Sequence, residues 1–208
     1  MLHSDMLFWQ RQRLHDSEKR TFPDDGHLTS ALNVAAYQVQ AKVMKVAPDV
    51  FRKHWYRDLL PNVYRYQLPR GFIRPKLVML NGVMADPGTE RGIETGLYGS
   101  DPFFNITGGE IVISPKPETT VDNGLHVLYV PVLSLSGATD DLQDQGLVEP
   151  LHMAVVLWAV KLLMPEGGEE NEKIDAEILS LTNQIPEFYG THGSGEPLEV
   201  VGFSHEVI

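Results

Sequence analysis

A chain of 208 residues with 42% hydrophobic content is long enough to bury roughly 70% of its unfolded surface in a core, and needs no staple to do so. Cysteine is absent, which excludes disulfides, thiolate nucleophiles and zinc sites built on sulfur. The 28 acidic residues against 17 basic ones give a net charge of −11, so the surface as a whole repels a nucleic-acid backbone and any contact with DNA is local or weak.

The opening MLHSDMLFWQRQRLHD lacks the continuous apolar core of a signal peptide and is read as part of the fold. Leu7, Phe8, Trp9 and Leu14 give an apolar side to a short helix over 5–15, with Ser4 as its N-cap. Leu28, Ala31, Leu32, Ala35, Val39, Val43 and Val46 recur at three- and four-residue steps and predict a helix over 25–46, capped by Asp24 or Asp25. Pro48 ends it, and a β-rich insertion follows over about 50–132. The patchily aromatic and β-branched stretch from Val50 to Leu68, broken by LLPN, suits a hairpin.

Lys76 to Leu80 reads as a strand leading into an Asn81-Gly82 hairpin turn. Ala85 to Pro102 is a Gly-rich connector. Phe103 to Ile106, Glu110 to Ser114 and Leu125 to Val130 then read as strands of one small antiparallel sheet. The acidic loop ATDDLQDQG precedes a helix over 148–164, and PEGGEE separates it from another over 171–184. The apolar run Leu151–Met164 is too short to cross a bilayer, so no membrane contact is expected. From Pro186 onward the glycines of PEFYGTHGSGEP predict an extended C-terminal arm over 186–208, ending the single domain at 185. Within the arm LEVVGF has strand composition and suits addition to a partner's sheet edge. The expected fold class is α+β, an α-helical core of about four helices with a small antiparallel sheet or hairpins.

The sequence carries no recognisable catalytic or metal-binding constellation. Eight histidines are scattered without the paired spacing of a helical zinc site, and His152 reads as a hydrogen-bonded core residue. Asp140, Asp141 and Asp144 lack the spacing of a calcium loop. Glu166, Glu169, Glu170 and Glu172 complement the positive end of the following helix. No Gly-x-Ser-x-Gly elbow or phosphate-cradling loop occurs. No catalytic, cofactor-binding or metal residue is assigned, and an enzyme is not expected. Phe51, Arg52, Trp55, Tyr56, Tyr64 and Tyr66 mix aromatic and basic character, which fits a subunit or tail interface and, as an alternative, a single-stranded nucleic-acid platform. A small hydrolase with an unobvious acidic site is the other alternative.

FPDDGHLTSALNVAAYQV, YRYQLPRGFIRPKLVMLNG, GGEIVISPKPETT and VLYVPVLSLSGATDDLQDQGLVEPLHMAVVLWAVKLLM together resemble, in order and spacing over about residues 5–185, the head-to-tail adaptor (connector, head-completion) proteins of tailed bacteriophages. The resemblance implies a structural protein of the virion neck, made in the host cytoplasm. It also implies a ring of twelve copies that docks on the portal protein, receives the tail, nozzle or tail-terminator protein, and continues the channel through which double-stranded DNA passes without sequence-specific binding. The arm then clasps the portal, with Phe188, Tyr189, Val200, Val201, Phe203 and Ile208 as anchors.

Overall fold

The computed structural model describes residues 1–165 and 169–190. In chain order its elements are α1 (His3–Arg13), α2 (Gly26–Val46), β1 (Lys53–Leu59), β2 (Arg65–Gln67), β3 (Phe72–Leu80), β4 (Val83–Met84), β5 (Asp86–Pro87) and α3 (Glu90–Glu94). There follow β6 (Phe103–Thr107), β7 (Glu110–Ser114), β8 (Val121–Pro131), α4 (Pro150–Leu163), α5 (Glu169–Asn183) and α6 (Ile185–Tyr189). The fold is α+β.

The three- and four-residue spacing of α2 turns Leu28, Leu32, Ala35, Ala36, Val39 and Val43 inward, all fully buried. α4 is buried on nearly every face because α1, α2 and α5 surround it. That is why its sequence shows an apolar run rather than a stripe. α5 buries Ile174, Ile178 and Thr182, with Leu181 half-buried against the same core. The four main helices start and stop within two residues of their expected bounds, but α1 begins at His3 rather than at Asp5 behind a Ser4 cap. The His3 and Ser4 amides instead donate to the carbonyls of Asp140 and Ala138, so a distant loop caps the helix.

Two expectations about the strands are corrected. Val50 to Leu68 is not a hairpin, since β1 pairs with β8 while β2 pairs with β7 in another sheet. The Tyr66 hydroxyl fixes this change of sheet by accepting from the Leu60 amide and donating to the Val63 carbonyl, both at 3.0 Å. Nor do the last three predicted strands share one sheet. The orders are β1-β8-β3-β4 and β2-β7-β6-β5, four strands each. Facing each other, the two sheets bury Ile111 and Ile113 of one with Leu125 and Val127 of the other, apolar surface that a single sheet would leave half exposed. The Asn81-Gly82 turn closes the β3–β4 hairpin as expected, both residues having positive φ (50° and 79°).

The helical core and the inter-sheet core meet at the segment between β8 and α4. Here Leu133, Leu135, Leu142 and Leu147 are buried although the chain is irregular, and its backbone polar groups need partners. Side chains provide them. Gln40 donates to the Pro131 carbonyl (2.6 Å) and accepts from the Leu133 amide (3.2 Å). Asn33 treats Leu135 likewise, donating to its carbonyl (3.0 Å) and accepting from its amide (2.7 Å). Gln145 makes the same pair of bonds to Ser134, and the Asp140 carboxylate accepts from the Ser136 and Gly137 amides.

His152, fully buried, lies 2.8 Å through Nε2 from the Leu147 carbonyl. Burial pushes its pKa below the ordinary 6.5, and the Leu147 bond offsets only part of this. A histidine depressed in the folded state takes up a proton more readily when unfolded, so its contribution to stability is complete above the ordinary value of 6.5 and is lost as pH falls below it.

Two outcomes are expected. Gln40→Leu strands a buried carbonyl and amide and should destabilise the protein by roughly 2–4 kcal/mol in urea unfolding. Lowering the pH from about 7 to about 5 should shift the urea midpoint down, and His152→Gln should flatten that dependence.

Candidate docking surfaces

The six aromatic and basic residues singled out around β1 and β2 divide between core and surface. Phe51 is fully buried in the helical core and Tyr66 is buried between the sheets, so neither is available to a partner. Phe51 anchors the chain ahead of β1, and Tyr66 ties the turn between β1 and β2. Trp55 is half-buried and faces the inter-sheet core, with the Arg57 guanidinium 5.5 Å from its ring centre. Tyr64 is half-buried between Lys116 (4.4 Å) and Arg65 (5.6 Å), each carrying its cation over the ring. Arg52 is exposed, and Tyr56 is 50% exposed.

Of the six proposed arm anchors, Phe188 and Tyr189 lie in α6 and pack on the helical core, which corrects the expectation of a free arm from 186. Pro186 falls in the first turn of α6, where its missing N–H costs nothing. The Tyr189 hydroxyl donates to the Gly146 carbonyl and accepts from the Val148 amide. Val200, Val201, Phe203 and Ile208 lie outside the described residues.

What the sequence reading missed is the outer face of the β1-β8-β3-β4 sheet. Register places Tyr56, His126, Met79 and Met84 in one row, and His54, Leu128 and Leu77 in the next. Tyr56 stacks on His126 at 4.4 Å, and His54 Nδ1 lies 2.8 Å from His126 Nε2, so one imidazole donates and the other accepts. Met84 is 64% exposed, and no described element covers this face with regular packing. The signal was present: apolar residues continue past the hairpin turn in LVMLNGVM, more than a hairpin tip needs for its own core. Apolar and aromatic surface of this kind on a sheet marks a contact face.

Charge is partitioned as well. Residues 50–131 hold nine Lys or Arg against eight Asp or Glu, whereas the rest of the chain holds eight against twenty. The exposed side of α5 carries Glu169, Glu170, Glu172, Asp175 and Glu177. Asp140 is engaged in the loop described above, and those backbone bonds hold its carboxyl below the usual range. Among the described residues no three His, Asp or Glu side chains cluster as metal ligands would, and no helix is long and apolar enough to cross a membrane.

The family model described as SU10 adaptor protein matches residues 10–187, a span that takes in most of both cores. No curated protein matches the chain.

Burial, and next the charge of His54, push the His126 pKa down. In an NMR titration His126 should therefore titrate below 6.5, and His54→Ala should move its midpoint back towards that value. A midpoint unaffected by His54→Ala would contradict the stacked pair.

Proposed function

The chain belongs to the SU10 adaptor protein family, and from that membership we propose that it joins the head of a tailed bacteriophage to its tail. Twelve copies form a ring in the virion neck, docked on the portal on one side and on the tail, nozzle or tail-terminator protein on the other. The host cytoplasm is where the chain is made. Double-stranded DNA passes through the ring without sequence-specific binding.

The observation that carries this reading is the family match, which spans α1 to α6 rather than one motif. Charge partition supports it. An acidic helical layer, with the carboxylates of α5 outermost, repels phosphates and lets a duplex slide past without sticking. The near-neutral β region, whose outer face presents exposed Tyr56 and Met84 beside half-buried Met79, is the better surface for protein contact. Arg52, Trp55, Tyr56 and Tyr64 remain as interface residues there, and Val200, Val201, Phe203 and Ile208 as portal anchors. The single-stranded nucleic-acid alternative loses ground, because two of its six residues are core and Tyr64 is already flanked by cations.

The test is electron microscopy of the purified chain with the portal protein of the same phage. Twelve-fold rings seated on the portal are expected. Tyr56→Glu with Met84→Glu, both at exposed side chains outside the two cores, should abolish the ring or its tail contact. A monomer that ignores the portal would overturn the reading.

A further inference from the structure

β1 is an edge strand. It pairs only with β8, and no other described element runs beside it. Over seven residues, every second amide and carbonyl on its outer side therefore has no strand partner among the described residues. A free edge of this length is a template for another strand, and proteins cover such edges to prevent misassembly. Six of its seven residues are exposed or half-buried, and Lys53 and Arg57 make no ion pair among the described residues.

Through Gly146, the end of α6 is tied to the residues that lead into β1. Tyr189 is hydrogen-bonded to the Gly146 carbonyl at 3.1 Å. Gly146 itself packs on the residues just before β1: a Cβ there would stand 3.3 Å from the Val50 carbonyl oxygen and 3.3 Å from Phe51. The seven residues THGSGEP then separate Gly190 from LEVVGF, a linker that reaches at most about 25 Å. Residues 191–208 contain three Glu and no Lys or Arg, opposite in sign to the rim of β1.

We propose that Leu198–Phe203 of the same chain adds to the free edge of β1 as a further strand in the unassembled protein. Entry beside Val50 gives it a course parallel to β1. The two-residue period then sets Glu199 on the face of Lys53 and Arg57, with Val201 and Phe203 beside Trp55. Leu198 and Val200 fall on the face of His54 and Tyr56. The added strand covers the edge until a binding partner draws the segment away. The inference concerns the free protein and stands apart from the adaptor reading.

Amide hydrogen exchange on the purified chain, without portal, tests it. Ending the chain at Gly190, which leaves α6 intact, should speed exchange at alternate β1 amides by about tenfold or more while the amides of β3 stay unchanged. Val200→Pro with Val201→Pro in the full chain should do the same, since proline cannot donate to the added ladder. A peptide of residues 196–208 should restore protection to the shortened chain. Equal exchange in full and shortened chains would overturn the proposal. So would protection that vanishes on dilution, because the strand would then come from a second copy. Neither result bears on whether rings form on a portal, so the two readings fail separately.

Discussion

Between β8 and α4 the chain buries Leu133 and Leu135 in an extended stretch that belongs to no sheet, and a buried backbone without hydrogen bonds is costly. α2 satisfies it with the side-chain amides of Asn33 and Gln40, each both donating and accepting. The spacing has a geometric basis. Seven residues of helix rise about 10.5 Å, and the three extended residues from the middle of Pro131–Leu133 to Leu135 span about 10 Å. The segment can thus run antiparallel to the helix with both amides in register. Alanine would suit the helix better at either position, so these amides are there for the joint.

The arrangement of surfaces follows from that joint. It sets the two facing sheets against the helical layer, which separates the near-neutral β face from the acidic carboxylates of α5. The same stretch of loop caps α1 through the Asp140 and Ala138 carbonyls, and through Gly146 and Val148 it holds the Tyr189 hydroxyl. The helical layer, the sheets and the exit of the chain towards residue 191 are therefore fastened at one place. A protein that transmits position from one partner to another needs such a joint more than it needs a cleft.

Helices were the most legible part of the sequence because their signal is local. The spacing in α2 and the unbroken apolar run of α4 each report burial directly. Asn33 lies within FPDDGHLTSALNVAAYQV, one of the stretches that carry the resemblance, and its physical role there is the pair of bonds to Leu135. Strand pairing was not legible, since β1 and β2 look like two arms of a hairpin until the Tyr66 hydroxyl is seen tying the turn between them. β8 has the composition of its supposed neighbours, and only the need to cover Ile111 and Ile113 from the opposite side sends it to the other sheet. Aromatic residues misled in one consistent way. Phe51, Tyr66 and Tyr189 have the composition of interface anchors, yet each is buried, and composition does not distinguish a ring that holds the fold from one that waits for a partner. His126 was passed over because its contact with His54 joins residues far apart in the chain.

The amide joint makes the two cores behave as one unit. Variants retaining a single tryptophan, either Trp55 between the sheets or Trp158 against the helical core, report each core separately during urea unfolding. The transitions should coincide in that background and separate once Asn33→Leu and Gln40→Leu are added. Transitions already separate with both amides in place would contradict this coupling.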